Sequence, residues 1–197
     1  SNLGLYSIYA ATKIKNIEVI SFEPSTSNLR ILSRNISINH LEKKIKIFQV
    51  PLGIQKGNFL EFQETKFNEG ESNNSIDKNI NFEGKKMKST NKYQIFSTNI
   101  DQIIDSQILD IPDYIKIDVD GVEHLILKGG IKLFKNPKIL EIQIEINENH
   151  IDQYNNVLKI MNECSFNFKE KKRNVSSGYY DPKKYSKCYN YYFTRWN

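Results

Sequence analysis

Apolar runs of strand length alternate along most of the chain with segments that carry apolar residues at helical spacing. The clearest strand-like runs are residues 18–23, 45–50, 114–119 and 139–146. The last run alternates apolar and polar residues throughout, which indicates a strand with one buried and one polar face. This pattern predicts an α/β domain whose mostly parallel sheet is covered by helices on both faces.

Helical spacing appears between the strand-like runs. Polar capping residues at 24–27 precede Leu29, Leu32 and Ile36, which fall on one helical face. A longer helix is interrupted by Gly129-Gly130, where we expect a weak or bent point. This interrupted helix is predicted for residues 122–134. The other predicted helices are residues 5–11, a short helix capped by Thr98, and residues 151–164. Residues 189–195 have the aromatic composition of a closing strand.

Residues 53–98 have a different composition, rich in Gly, Asn, Ser, Glu and Lys. We expect one or two irregular hairpin strands flanking a mobile loop there, on the border of the pocket. We refer to residues 53–98 as the excursion.

With 197 residues, 39% of them hydrophobic, the chain fits one soluble globular domain. No run approaches the roughly 20 apolar residues of a membrane-spanning helix, so a cytoplasmic protein is expected. The net charge is +5, and the densest basic run, residues 169–173, predicts a solvated loop, with contact to a polyanion or a membrane surface as the alternative. Cys164 and Cys188 lack metal-ligand spacing and are expected to be reduced thiols.

Acidic residues follow three of the predicted strands. They are Glu23, then Asp118 and Asp120, then Glu145. Ligands of open parallel sheets sit beyond the carboxyl ends of the strands, which makes these side chains candidates for a site. A carboxylate at Glu23 could accept both hydroxyl hydrogens of a ribose, or it could cap the next helix.

Residues 115–123, Ile-Lys-Ile-Asp-Val-Asp-Gly-Val-Glu, resemble a specific block of the FkbM-type methyltransferases. The resemblance extends in order over nearly the whole chain, through blocks at residues 2–7, 19–25, 28–39, 50–53, 73–76 and 97–104. It implies a Rossmann-like class I methyltransferase fold that binds S-adenosylmethionine. It also implies methyl transfer, usually to a hydroxyl of a sugar, a polyketide or a similar small acceptor.

The same resemblance implies the cofactor-binding residues. Asn2 and Gly4 would belong to the loop on the methionine side, Glu23 and Pro24 to the ribose contact, and Leu52-Gly53 to the adenine edge. The family's first strand and the leading Asp-x-Gly of this loop would lie before residue 1. We therefore expect residues 1–197 to be one methyltransferase domain that lacks its start.

Asp118 is also expected to contact the cofactor and to act in catalysis, by orienting the acceptor hydroxyl or by taking its proton. Asp120 and Glu123 have a simpler interpretation as capping residues of the next helix. No metal site is predicted; Mg²⁺ held by Asp118, Asp120 and Glu145 is the alternative.

Three histidines complete the list of candidates. His150 follows the alternating strand, where it could serve as a base on the acceptor side or lie exposed in a loop. His40 and His124 are expected to be exposed.

Three further functions stay open. An NAD-dependent oxidoreductase would also use Glu23 on a ribose, and a glycine-rich loop of the form G-x-G-x-x-G upstream would favour it. A non-catalytic interaction module is the second. Nucleic-acid methylation is disfavoured because the chain has no Asn-Pro-Pro-aromatic sequence and no basic stripe among its aromatic residues.

Overall fold

A computed structural model describes residues 1–72, 74–76, 83–86, 91–173 and 185–196. Within these residues the helices are α1 (Leu5–Lys13), α2 (Thr26–Ile38), α3 (Ile100–Asp105), α4 (Glu123–Lys128), α5 (Ile131–Phe134) and α6 (Ile151–Glu163). The strands are β1 (Val19–Phe22), β2 (Ile45–Phe48), β3 (Asn58–Glu64), β4 (Asn74–Ile76), β5 (Asn91–Ser97), β6 (Tyr114–Ile117), β7 (Glu141–Asn147), β8 (Asn167–Lys172) and β9 (Cys188–Thr194).

The first part of the chain builds a small α/β unit. Strands β1 and β2 pair in parallel, with Val19 opposite Ile45. Helices α1 and α2 bury Ala11 and Leu32 completely against this pair. Ser25 is the N-cap of α2, and its hydroxyl accepts a hydrogen bond from the backbone amide of Asn28, so the predicted capping segment and apolar face are confirmed.

A four-stranded sheet of order β6-β7-β9-β8 forms the larger core. Ile142, Ile144 and Ile146 of β7 are fully buried, and they belong to the same core cluster as the apolar residues of α3, α4, α5 and α6. Polar side chains of the same strand, Gln143 and Glu145, lie on the opposite face. The predicted two-faced strand is confirmed.

The excursion contains a three-stranded antiparallel sheet of order β4-β3-β5 rather than one or two irregular strands. Its base is closed by a bridge between Leu52 and Thr98 and by a hydrogen bond from the Gly53 amide to the Thr98 carbonyl. The part of the expected mobile loop at residues 73, 77–82 and 87–90 lies outside the described residues.

The expectation of a mostly parallel sheet is not met in the described part of the chain. Parallel pairing joins β1 to β2 and β6 to β7, and these two pairs lie in separate sheets. All pairs made by β3 and β9 are antiparallel. Strand direction depends on the connections between strands, whereas side-chain alternation is the same in both directions. The α/β composition itself is confirmed.

Three local predictions are corrected or confirmed by the packing. Asn99, not Thr98, caps α3, because its side chain accepts from the Gln102 amide at 2.9 Å. The basic run 169–173 was expected to be a loop, yet most of it lies in β8. The break at Gly129-Gly130 is confirmed, since α4 ends before it and α5 begins after it.

None of the helices in the described ranges combines the length and the apolar character that crossing a membrane requires.

Candidate active site

Two of the predicted cofactor-binding residues meet at the end of β1. Glu23 follows the strand and is buried, with 4% of its surface exposed. Its Oε2 accepts hydrogen bonds from the Asn2 amide at 2.5 Å and from the Ser1 amino group at 3.1 Å. Its Oε1 accepts from the Ser25 amide at 3.0 Å. These contacts fix the carboxylate between the Asn2 loop and the start of α2.

Gly4 adopts a conformation and a position that only glycine allows. Its φ is +87°, in the left-handed region, and a Cβ there would lie 2.4 Å from Cδ1 of Leu32 in α2. Asn2, which also has a positive φ, tolerates this region better than most residues. The sharp turn lets α1 begin directly after the loop that reaches Glu23.

The other predicted cofactor residues have mainly structural contacts. Pro24 is half-buried ahead of α2. Leu52 packs against the large core cluster. Gly53 bonds to Thr98, and its carbonyl oxygen faces Gly129. Among the contacts described for Leu52 and Gly53, none is with Glu23, so their place at an adenine edge stays a prediction.

Asp118 and Glu145 lie side by side at the carboxyl ends of β6 and β7. The register pairs Ile117 with Ile144, so the residues that follow them, Asp118 and Glu145, lie next to each other. Their carboxyl groups are in hydrogen-bonding contact, and burial together with the Asp118 charge raises the pKa of Glu145 to about 8. The Lys116 ammonium forms an ion pair with Asp118. At neutral pH, Glu145 therefore retains its proton.

The two neighbouring acids, Glu123 and Asp120, differ in their hydrogen bonds and in their backbone conformation. Glu123 is buried and accepts backbone hydrogen bonds from Val119 and Gly121, so it shapes the turn after β6; it lies in the first turn of α4 but is not its cap. Asp120 has a positive φ of 57° and is half-buried. Burial and the Asp118 charge raise its pKa well above the ordinary value. The expectation that Asp120 caps the helix is wrong: Val122 is the N-cap, and α4 has no side-chain cap.

His150 is buried rather than exposed, at 8% of its surface, directly before α6. A Cβ on Gly84 would lie 2.6 Å from its Nε2, so the excursion rests on this ring. His124 was expected to be exposed, yet it is 1% exposed, and its ring meets that of His150 edge-on at 6.0 Å. The burial of His124 and His150 could not be predicted from their positions in the sequence, because the residues that cover them come from distant segments. His40 is exposed as expected.

No group of three or more His, Cys, Asp or Glu side chains in the described residues is arranged to hold a metal ion. The Mg²⁺ alternative therefore gains no support from the geometry.

An open concavity of about 470 Å³ lies between the base of the excursion and the α3 and α4–α5 region. Its lining includes Ile54, Asn99 and Gly129 but none of the predicted site residues. The candidate site is at the strand ends instead: the glycine turn and the buried Glu23 lie at the end of β1, and the carboxyl pair lies at the ends of β6 and β7.

The family model described as the methyltransferase FkbM domain matches residues 5–168 of this sequence. The chain belongs to the FkbM methyltransferase family. The resemblance drawn from residues 115–123 and the ordered blocks is thereby confirmed. This result favours methyl transfer over an NAD-dependent oxidoreductase.

One solved structure agrees at the level of the fold. The methyltransferase FkbM from Methylobacillus flagellatus KT matches with a TM-score of 0.53 and 19% identity, over 95% of this chain and 40% of that chain. A Clostridium thermocellum protein named for a proposed rRNA-methylase activity gives a TM-score of 0.49 and 7% identity, over 98% of this chain and 81% of that chain. No curated protein matches the sequence. The chain spans less than half the length of the Methylobacillus protein.

For this FkbM domain, sequence reasoning missed one part of the site. Residues 68–71 of the excursion lie against the Asn2 loop and α2, through contacts that include the Asn2 side-chain amide and the Gly70 carbonyl. Glu64, at the end of β3, is also buried, and burial raises its pKa. The composition of the segment suggested only a loop, and no motif marks these contacts.

Proposed function

We propose that this FkbM domain is an S-adenosylmethionine-dependent O-methyltransferase that acts on a hydroxyl of a sugar, a glycan or a similar small metabolite. The observation that carries the proposal is the pairing of Asp118 with Glu145 at the strand ends, in a family of methyltransferases. Such a pair suits a hydroxyl acceptor, which must lose a proton as it is methylated.

The cofactor end of the proposed site is built on Glu23. Its two oxygens offer about four lone-pair positions in total, and three donors already use some of them. The carboxylate thus keeps capacity for a ribose hydroxyl. We assign Asn2 and Gly4 to the methionine side, Pro24 to the ribose side, and Leu52 and Gly53 to the adenine edge, as the family resemblance implies.

The acceptor end is built on Asp118. When bound, S-adenosylmethionine supplies a methyl carbon whose bond to sulfur breaks as the acceptor oxygen attacks in line. Asp118 orients the acceptor hydroxyl and takes its proton. Lys116 forms an ion pair with Asp118, and protonated Glu145 donates to Asp118 and fixes its orientation. General-base assistance of this kind is worth about 10²- to 10⁴-fold in rate. His150 is the second candidate for the base, reached once residues 83–86 move aside.

Calorimetric titration with S-adenosylhomocysteine tests the cofactor end. We expect the native protein to bind it and the Glu23→Gln variant to bind about 10- to 100-fold more weakly, since hydrogen bonds to a charged group contribute roughly 1.5–3 kcal/mol. Glu18→Gln is the matched control, because Glu18 precedes the same strand and forms only an exposed ion pair with Lys46. Binding of NADH without binding of S-adenosylhomocysteine would refute the proposal.

Release of S-adenosylhomocysteine from S-adenosylmethionine, measured with a panel of hydroxylated acceptors, tests the acceptor end. Asp118→Asn should reduce turnover by about 10²- to 10⁴-fold on any acceptor that the native protein uses. Full turnover in this variant would remove Asp118 from catalysis.

A further inference from the structure

Residues 68–71, which we call the clamp segment, are bonded to two separate parts of the proposed cofactor site. Four hydrogen bonds join the backbone of the segment to the side chains of Asn2, Ser27 and Asn28. A fifth contact is an exposed ion pair between Arg30 and Glu69. The segment is therefore attached to the glycine loop on one side and to the first turns of α2 on the other.

Asn28 makes the two shortest of the four hydrogen bonds to the backbone of the segment. Its Oδ1 accepts from the Gly70 amide at 2.8 Å, and its Nδ2 donates to the Glu71 carbonyl at 3.0 Å. The side chain is 1% exposed. One amide thus satisfies a donor and an acceptor of adjacent backbone positions. An aspartate at the same position would lack the donor, and an alanine would lack both groups.

The contacts of the clamp segment extend from Asn28 to the Asn2 loop and toward the acids at the end of β6. The Gly70 carbonyl accepts from the Asn2 side chain at 3.3 Å, and the Asn2 amide bonds to Glu23. Glu71 is close enough to Asp120 for its charge to raise the pKa of that carboxyl. The segment therefore spans from the glycine loop toward the acids at the end of β6.

We propose that Asn28 is a positioning residue that holds the clamp segment closed over the glycine loop and so slows release of the methyl donor and of its demethylated product. This inference rests on the proposed function, because it assumes that the cofactor binds at Glu23. Asn28 acts through the backbone of Gly70 and Glu71 and is not itself a catalytic residue.

Stopped-flow kinetics with S-adenosylhomocysteine test this inference. We expect Asn28→Ala to raise the dissociation rate by about 10-fold, with a smaller change in the association rate, since two buried hydrogen bonds are lost. Asn28→Asp keeps the acceptor for Gly70 and places a favourable charge in the first turn of α2, so it should fold and give an intermediate dissociation rate. The control is Asn39→Ala, at the exposed end of the same helix.

Hydrogen exchange of the Gly70 amide separates a positioning role from a purely structural one. If Asn28 served only the stability of the fold, the exchange rate of this amide would not follow the dissociation rate of the ligand. In Asn28→Ala this amide should exchange faster, in proportion to the faster dissociation. Native-like dissociation rates in both Asn28 variants would overturn the inference while leaving the proposed function intact. Failure of the native protein to bind S-adenosylhomocysteine would overturn both.

Discussion

At the residue scale, the chemistry of the site depends on which acids lie side by side. Asp118 and Glu145 are 27 positions apart in the sequence, and the register of β6 and β7 places them together. The sequence predicted that both acids end strands. It did not predict that one of them would retain its proton, because this depends on burial and on the distance between two carboxyl groups.

The stability of the fold should respond to the titration of Glu145. Its ordinary pKa of 4.5 is raised to about 8 by burial and by the charges of Asp118 and Glu123, against the opposing charge of Lys116, while the buried Cys188 thiol faces the same group. The folded state then binds the proton of Glu145 more tightly than the unfolded state. The contribution of this proton to the free energy of unfolding is therefore complete below about pH 4.5 and is lost as pH rises toward 8.

We therefore expect Glu145→Gln to be more stable than the native protein at pH 8, by roughly 1–2 kcal/mol after allowance for partial exposure. The difference should shrink toward pH 5. Urea unfolding at several pH values measures it. Glu141→Gln, on the same strand and in a surface pair with Lys169, is the control and should follow the native pH profile. A Glu145→Gln curve parallel to the native one would contradict the pKa assignment.

At the element scale, close contacts decide where helices stop. The sequence predicted a weak point at Gly129-Gly130 from glycine's low helix propensity. The structure adds a stronger reason, because a Cβ on Gly129 would lie 2.0 Å from the Gly53 carbonyl oxygen and one on Gly130 would lie 2.4 Å from a methyl group of Ile100. The helix ends where the base of the excursion meets it.

Gly129→Ala tests this explanation. In an open helix the change would stabilise the protein by up to about 1 kcal/mol. Here we expect a loss of about 1–3 kcal/mol in the free energy of unfolding, since a backbone atom must move. Gly53→Ala is the matched control, because its Cβ would meet only the Ser97 hydroxyl, at 3.8 Å. Equal stability of the two variants in denaturant titrations would show that propensity alone sets the break.

At the scale of the whole molecule, the proposed site draws on segments that are distant in sequence. The glycine loop, the end of β1, the clamp segment and the ends of β6 and β7 all contribute to it. Contacts of the clamp segment cross 39 or more residues, as in the hydrogen bond between Asn28 and Gly70, with a separation of 42. Ligand binding should therefore stabilise the entire fold.

Thermal unfolding in the presence of S-adenosylhomocysteine tests this coupling. At a ligand concentration of about 100 times Kd, the linkage relation gives roughly 2.7 kcal/mol of stabilisation. For a domain of this size that corresponds to a rise in Tm of about 5–10 °C. NADH at the same concentration is the control and should leave Tm unchanged. A shift with NADH alone would favour the oxidoreductase alternative.

Most of the order of strands and helices outside the excursion could be predicted from the sequence, because apolar periodicity is a local property; the mostly charged strand β8 was not predicted. The site acids Glu23 and Asp118 could be proposed for the same reason, since each directly follows a recognisable strand. The excursion could not be predicted in this way. Its strands are rich in Asn, Gln and Glu, which have weak β propensity, and their register is set by pairing with one another.

The sequence alone therefore determined the family, the order of most elements outside the excursion and the residue types at the strand ends. Tertiary structure decided strand direction, the burial of His124 and His150, and the contact between Asp118 and Glu145. It also decided that residues 68–71 lie on the glycine loop. The physical reason is the range of each interaction: hydrophobic periodicity acts along a few residues, whereas pairing direction, desolvation and charge proximity depend on segments that meet only when the chain folds.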